Sequence, residues 1–165
     1  MKSFAPIAAC LLLSACSSLP DSIPLPDAMP LSERLPLPVR TSVGVSDSFV
    51  AAETRLRDAI SARNFRLFAV IDHGAGALSV GRDIGQSKLF VFGNPQGGAP
   101  LMQAEPELGF SLPLKMLIYT DESGRTRIIH TDIAALRDHY RIEGQDDHID
   151  RMRATLRAMA MEAAG

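Results

Sequence analysis

The sequence has little cysteine, little net charge and no long apolar segment. Both cysteines, Cys10 and Cys16, lie near the amino terminus, so residues 17–165 have no thiol for a disulfide, a redox centre or a thiolate metal site. The formal net charge of −2 gives no electrostatic reason to expect nucleic acid or an anionic lipid surface as a partner. These absences leave a domain held together by packing, and the 46% hydrophobic content is enough to build a core.

Motifs that would identify an enzyme or a metal site are also missing. No serine stands in a G-x-S-x-G context, and the glycine-rich segment 93–98 lacks the lysine and hydroxyl residue of a P-loop. The histidines, which are His73, His130, His139 and His148, form no H-E-x-x-H or comparable ligand pair. We therefore predict no cofactor and no metal site, and we favour a protein that is not an enzyme.

What the sequence does have is an amino-terminal segment typical of a signal peptide. Lys2 is its single positive charge, and an apolar stretch runs from Phe4 to Leu13, interrupted by Pro6. About ten residues are too few for a permanent membrane span, which needs roughly 20. The pattern predicts that residues 1–15 are a signal peptide.

The end of this segment, Leu13-Ser14-Ala15-Cys16, resembles the lipobox of bacterial lipoproteins. In that class the peptide is cleaved before the cysteine, and the cysteine carries diacylglyceryl and N-acyl chains such as palmitate, which together suffice for stable anchoring. The resemblance makes Cys16 the predicted lipid attachment site, whereas Cys10 has too little apolar sequence before it. Ser17 stands where an aspartate typically retains such proteins in the inner membrane. We therefore expect a lipid-anchored protein of the cell envelope, in the periplasm on the outer membrane.

A proline-rich linker is predicted over residues 16–40. Six of the 11 prolines fall between Ser17 and Arg40, and proline removes a backbone donor and fixes φ, so neither a helix nor a central strand can persist there. Extended polyproline geometry, at roughly 3.1 Å per residue, would act as a stiff spacer. Its leucines could also pack onto the folded part. Residues 41–165 remain as a single domain of ordinary size.

Hydrophobic periodicity and turn residues predict an α+β domain. Strands are expected over residues 41–46, 65–72, 88–92, 114–120 and 125–130, the last two pairing as a hairpin. Helices are expected over residues 47–62, from Pro100 to 104, over 133–139 and over 146–163. In the first helix the expected buried face comprises Phe49, Ala52, Leu56, Ala59 and Ile60. The order of strand, helix, four strands and helices favours a mainly antiparallel sheet with helices on one face.

Several spaced motifs resemble one bacterial family. They are Ile71-Asp72-His73 with the following Gly74-Ala75-Gly76-Ala77, then Phe92-Gly93-Asn94-Pro95, Pro100-Leu101-Met102-Gln103 and Leu112-Pro113-Leu114-Lys115. Residues 41–142 are thereby similar to the bacterial domain of unknown function 302. The resemblance implies a TATA-box-binding-protein-like fold with the order strand, helix, four strands, helix. Ala99 and Ser111 depart from that pattern, where a threonine and an aspartate are usual.

Asp72, His73, Asn94 and Gln103 are the ligand-binding candidates, and no catalytic residue is assigned. Asp72 and His73 join a carboxylate to an imidazole before a glycine-rich turn, although neighbouring strand residues point to opposite faces. Asp72 could instead cap that turn, and Asn94 could simply open a turn before Pro95. If strands 65–72 and 88–92 are antiparallel, His73 and Asn94 lie at opposite ends of the sheet. The 15-residue connection also permits a parallel crossover.

The last helix carries an apolar seam of Ile149, Met152, Leu156 and Met159. We expect the seam to cover the domain's own sheet, with a homodimer or an envelope protein partner as the alternative. The sequence as a whole predicts a membrane-anchored envelope lipoprotein whose small domain binds a ligand or a partner. The alternative is an enzyme or metal-handling protein that uses Asp72 and His73 in a pocket.

Overall fold

The computed structural model describes residues 41–165. The strands are β1 (Thr41–Gly44), β2 (Arg66–Asp72), β3 (Ser87–Gly93), β4 (Leu114–Thr120) and β5 (Thr126–His130). The helices are α1 (Phe49–Ala62), α2 (His73–Leu78), α3 (Pro95–Ala104), α4 (Ile133–Tyr140) and α5 (Asp146–Ala164), with a 3-10 helix at Pro106–Phe110. The predicted signal peptide, the lipid attachment site Cys16 and the linker over residues 16–40 lie outside the described residues.

The strands form one sheet in the order β1-β5-β4-β3-β2, and every neighbouring pair is antiparallel. β2 pairs with β3 from Arg66 opposite Gly93 to Asp72 opposite Lys88, with an irregularity at Phe68. The parallel crossover between the strands now numbered β2 and β3, which the sequence also permitted, is therefore wrong. The α+β class and the order of strand, helix, four strands and helices are confirmed, with α2, α3 and the 3-10 helix inserted between strands.

Helices cover one face of the sheet and leave the other without a helical layer in the described part. On β4, Leu114, Met116 and Ile118 are buried, while the residues between them are only partly covered. This alternation follows from the period of two in a strand, with one face packed on the core. Both α1 and α5 contact the sheet and each other, and they supply much of the core.

Helix α1 forms as the sequence predicts. Its cap is Ser48, one or two residues later than the predicted Asp47 or Ser46, and the Ser48 hydroxyl accepts a hydrogen bond of 3.2 Å from the backbone N–H of Ala51. The predicted buried face is confirmed in full, because all five of its residues are buried. The 3.6-residue period alone was sufficient here, since the helix has one apolar stripe and one polar face.

Two elements differ from the prediction. The expected glycine-rich turn after Asp72 is helix α2, because Asp72 caps it and small residues fit close to the neighbouring loop. Pro100 was expected to begin a helix but lies inside α3, which begins at Pro95 after its cap Asn94. Residues 95–98, expected as loop, are therefore helical, and Ala99 is not at a position where a hydroxyl could cap the helix.

The seam of the last helix is part of the domain's own core. Ile149, Leu156 and Met159 are buried in the core cluster, and Met152 packs against it. The expectation that this seam covers the chain's own sheet agrees with the contacts of α5 with β1, β5 and α1. Across residues 41–165, no helix combines the length and the apolar character needed to cross a bilayer.

Candidate functional site

Two cavities lie at opposite ends of the sheet. The larger, of about 580 Å³, is built around the end where β2 begins and β3 finishes, and we call it the apolar pocket. The smaller, of about 390 Å³, lies near the paired residues Asp72 and Lys88. Of the four residues predicted from sequence, Asn94 lines the apolar pocket and Asp72 lines the smaller cavity, whereas His73 and Gln103 line neither.

The apolar pocket is enclosed by side chains from the sheet end, α3, the segment before β4 and α5. The large side chains that line it are Phe65, Phe68, Met102, Leu112, Pro113, Leu114 and Met152. Of all its lining residues, Asn94 alone has a polar side chain. A cavity of this size and composition falls within the range of about 300–1,000 Å³ that is typical of small-molecule sites.

Glycines make the room inside this pocket. Gly93, Gly97, Gly98 and Gly109 all line it. A Cβ atom on Gly93 would lie 3.1 Å from the Phe68 ring, so a side chain at that strand position would require the ring to shift. Gly97 and Gly98 lie within α3, where each glycine costs up to about 1 kcal/mol relative to alanine. The helix thus bears a stability cost at the positions that keep the pocket open.

Helix α5 fixes the position of the α3 wall. His148 Nε2 lies 2.8 Å from the carbonyl oxygen of Gly97, and the Met152 thioether reaches the space beside Gly97. The methionine can adapt its shape because it is unbranched and has rotatable bonds. A rigid polar contact and a deformable apolar one therefore join the two helices that face each other across the pocket.

Asn94 lies at the pocket, but its amide is already engaged with the protein. The side-chain oxygen accepts a hydrogen bond of 2.9 Å from the Gln96 backbone N–H, and the Nδ2 group donates to the Asn64 carbonyl at 3.3 Å. These bonds cap α3 and attach it to the turn before β2. Asn94 therefore positions one wall of the pocket, which is the local role that the sequence offered as the alternative to ligand binding.

Gln103 does not reach the same cavity. It is exposed on α3 next to Met102, and its side chain is not part of the pocket lining. The geometry therefore separates it from the other residues of its motif, Leu101, which is buried, and Met102, which lines the pocket.

Asp72 lies at the opposite end of β2 and lines the smaller cavity. Its Oδ1 atom accepts a hydrogen bond of 2.8 Å from the Ala75 N–H, and its Oδ2 atom lies 3.8 Å from Lys88 Nζ. The carboxylate is thus the cap of α2 and an outer member of a charge cluster. The sequence offered Asp72 as the cap of a turn, and in the structure Asp72 caps a helix.

Lys88 links Asp72 to a second carboxylate. Its Nζ atom donates a hydrogen bond of 2.8 Å to Glu53, which also accepts from Arg57. Burial acts to raise the pKa of Glu53, but the hydrogen bonds and charges of Lys88 and Arg57 outweigh it and hold the pKa below its usual range. The cluster joins α1 to the edge of the sheet as an ion-pair network.

His73 is exposed at the first position of α2 and does not line the smaller cavity beside Asp72. Because β2 and β3 are antiparallel, His73 and Asn94 lie at opposite ends of the sheet, and they share no site. The enzyme alternative requires a pocket that holds both Asp72 and His73. In the described residues, Asp72 lines the smaller cavity and His73 does not, so that arrangement is not found. Within residues 41–165, no three His, Cys, Asp or Glu side chains gather as a metal site.

The residues that build the apolar pocket were not recognised as a site from sequence. Phe65 and Phe68 were expected only as strand residues, and Met152 only as part of the helical seam. A signal was present in the adjacent Gly97-Gly98, followed by Leu101 and Met102 at helical spacing. Two adjacent glycines weaken a helix, so a helix that contains them indicates a packing or functional reason for the missing side chains.

Fold and site together define a small α+β domain with an open apolar pocket at one end of an antiparallel sheet. Residues 41–162 match the family described as domain of unknown function DUF302, and the chain belongs to this family. A crystal structure of an uncharacterized conserved DUF302 protein from Bacillus stearothermophilus superposes with a TM-score of 0.68 at 18% identity. The match covers 75% of this chain and 97% of that one, so a chain of little more than this domain folds by itself in that relative.

Curated relatives share sequence with part of this chain. A protein named fluoride-specific ion channel FluC 1 from Brucella suis is 38% identical over 96 residues, which is 57% of this chain and 38% of that protein. The protein of the same name from Brucella abortus is 38% identical over the same length and is covered to 36%. The chain thus spans well under half of the length of these relatives.

Proposed function

We propose that this chain is a membrane-anchored envelope lipoprotein whose domain binds an apolar ligand in the apolar pocket. The observation that carries the ligand-binding part is the 580 Å³ cavity, lined by aromatic, methionine and leucine side chains and kept open by glycines inside a helix. Apolar surface left facing water costs free energy that a bound apolar group recovers, at about 25 cal/mol per Å² buried. A folded domain that keeps such a cavity at the expense of helix stability is suited to binding.

Anchoring is supported by the lipobox-like Leu13-Ser14-Ala15-Cys16. The proline-rich residues 16–40 would hold the domain away from the membrane surface. The named ion channels of Brucella offer a further argument, because a channel works in a membrane and a segment similar to part of this chain belongs to them.

The anchoring proposal is tested with a pair of cysteine variants. In cells producing the full chain, Cys16→Ser should move the protein out of the outer-membrane fraction and abolish an acylated amino-terminal peptide in mass spectrometry. Cys10→Ser is the matched control and should behave as the parent. An unchanged distribution and mass for Cys16→Ser would refute the anchor.

Ligand binding is tested by filling the pocket. With residues 41–165 as the sample, the neutral dye N-phenyl-1-naphthylamine should gain fluorescence on binding in the pocket. Gly97→Leu should weaken that binding at least about tenfold, since its Cβ atom has only the Met152 side chain within 4 Å and the leucine would project into the cavity. Gly76→Leu is the control, because Gly76 is helical and has open space beside it. Equal dye binding by Gly97→Leu and the parent would contradict the proposal.

A further inference from the structure

Two cations flank the part of the apolar pocket formed by the end of the sheet. The guanidinium carbon of Arg66 lies 5.8 Å from the centroid of the Phe68 ring, and Phe68 lines the pocket. Lys115 Nζ donates hydrogen bonds of 2.9 Å to the carbonyl of Pro113, another lining residue, and of 2.8 Å to the carbonyl of Ser111. Arg66 therefore lies beside the wall residue Phe68, and Lys115 lies beside the wall residue Pro113.

Gly93 lies between these two walls. A Cβ atom built on Gly93 would be 3.1 Å from the Phe68 ring and 3.6 Å from the Pro113 side chain. Phe68 and Pro113 thus both lie next to Gly93. Arg66 and Lys115, the cations beside these two residues, therefore flank the same side of the cavity. The lining itself carries no charged side chain, so Arg66 and Lys115 lie behind the wall residues Phe68 and Pro113, at the border of the cavity.

Neither cation is neutralised by the described residues. The salt bridges within residues 41–165 include neither Arg66 nor Lys115. Arg66 is exposed, and Lys115 is half-buried with two of its three N–H groups donated to backbone carbonyls. Burial lowers the pKa of Lys115, which is the effect expected of an ammonium group without a carboxylate beside it.

We propose that the pocket binds a free single-chain amphiphile with a carboxylate head, of the fatty-acid type. This inference rests on the proposed function. Its hydrocarbon chain lies against Phe68, Met102 and Met152. Its carboxylate lies at the side of the sheet and accepts hydrogen bonds from the Arg66 guanidinium and from the third N–H of Lys115. Charge complementarity selects this occupant, because two unpaired cations adjoin one side of an otherwise uncharged cavity.

The test compares three ligands of one chain length by displacement of N-phenyl-1-naphthylamine from residues 41–165. These are dodecanoate, dodecanol and dodecylammonium, and we expect affinity to fall in that order. Arg66→Gln should weaken dodecanoate about five- to tenfold, in keeping with a charge-assisted hydrogen bond at an exposed site, and should leave dodecanol unchanged. Arg82→Gln is the matched control, since Arg82 is also exposed and outside the salt bridges of the described residues but follows α2, next to the smaller cavity at the opposite end of the sheet.

The outcomes separate this inference from the proposed function. Equal affinities for dodecanoate and dodecanol, or equal losses of both in Arg66→Gln, would overturn the carboxylate assignment while the apolar pocket remains a binding site. Failure of the dye and of all three ligands to bind would overturn both. Flotation with phosphatidylglycerol vesicles that depends on Arg66, without displacement of the dye by dodecanoate, would assign the cations to a bilayer and also overturn the inference.

Discussion

Near the smaller cavity, two backbone segments lie so close together that they restrict which residue can occupy position 74. A Cβ atom on Gly74 would lie 2.7 Å from the carbonyl oxygen of Gly85 and 3.3 Å from the backbone nitrogen of Ser87. Backbone atoms cannot move aside as the end of a side chain can. The helix that begins after Asp72 can therefore pack against the following loop only with glycine at this position.

Gly74→Ala should lower the free energy of unfolding by about 1–3 kcal/mol, because the added methyl group overpacks a contact between backbone segments. Gly76→Ala is the control in the same helix, with nothing within 4 Å of its added Cβ atom, and it should be neutral or slightly stabilising. Urea denaturation monitored by circular dichroism measures both. Equal effects for the two variants would show that the close approach is not what matters.

At the same scale, the sequence identified two residues that cap helices in the structure. Asp72 and Asn94 were each recognised as candidates to cap or open a local element, and each accepts a hydrogen bond from a backbone N–H of the helix that follows it. These bonds span only two or three residues, so local sequence is sufficient to specify them. Whether Asp72 and His73 share a pocket depends on how whole elements pack, and local sequence does not contain that information.

Among the elements, α3 combines features that weaken a helix. Pro100 lies inside it and cannot donate a backbone hydrogen bond, and Gly97 and Gly98 add backbone entropy to the unfolded chain. Its stability comes from contacts made by its buried residue Leu101 and from its attachment to His148 and Asn64. The helix is therefore held in place by its surroundings more than by its own sequence.

Gly98→Ala should raise the free energy of unfolding by about 0.5–1 kcal/mol, since alanine is the better helix former and its Cβ atom would make ordinary contacts of 3.5 Å and 3.7 Å. The reverse change at the next position, Ala99→Gly, should lower it by a similar amount. Thermal unfolding of the two variants beside the parent gives the measurement. Destabilisation by both would mean that position 98 cannot accept a methyl group.

The elements that sequence predicted well are those with a clear period. The buried stripe of α1 and the extent of β4 (Leu114–Thr120) agree with the structure because each has one face on the core. The start of α3 was misplaced because Pro95 and Pro100 are both acceptable first residues of a helix, and glycines between them usually signal a loop. The pocket was missed because strand, helix and loop residues far apart in sequence form it together.

In the molecule as a whole, carboxylates held in their charged form contribute to stability near neutral pH. The Ser123 hydroxyl, and then Arg127 and two backbone N–H groups, hold the pKa of Asp121 well below its usual range. A hydrogen bond from Arg63 lowers the pKa of Glu162, and the net effect at Glu53 is also a lowering. Each group binds a proton more readily in the unfolded chain than in the folded one.

These lowered pKa values make the domain less stable in acid. Stability from these groups is fully present above the carboxyl pKa of the unfolded chain, about 4, and is lost as the pH falls below it towards the lower folded values. The urea midpoint should therefore be nearly constant from pH 7 to 5 and should fall below about pH 4.5. Asp121→Asn should have a lower midpoint at pH 7 and a shallower fall in acid. A midpoint that rises between pH 5 and 3 would contradict this account.

The glycine-rich, proline-interrupted wall of the cavity also bears on selectivity. A wall with little intrinsic rigidity, which carries Met102 and faces Met152, can yield to guests of different length and branching, because methionine side chains readily change shape. Such a cavity discriminates weakly among hydrocarbon tails. Recognition then falls to the one side where the backbone belongs to a hydrogen-bonded sheet and cannot yield, so the chemistry of the head would decide which molecules are retained.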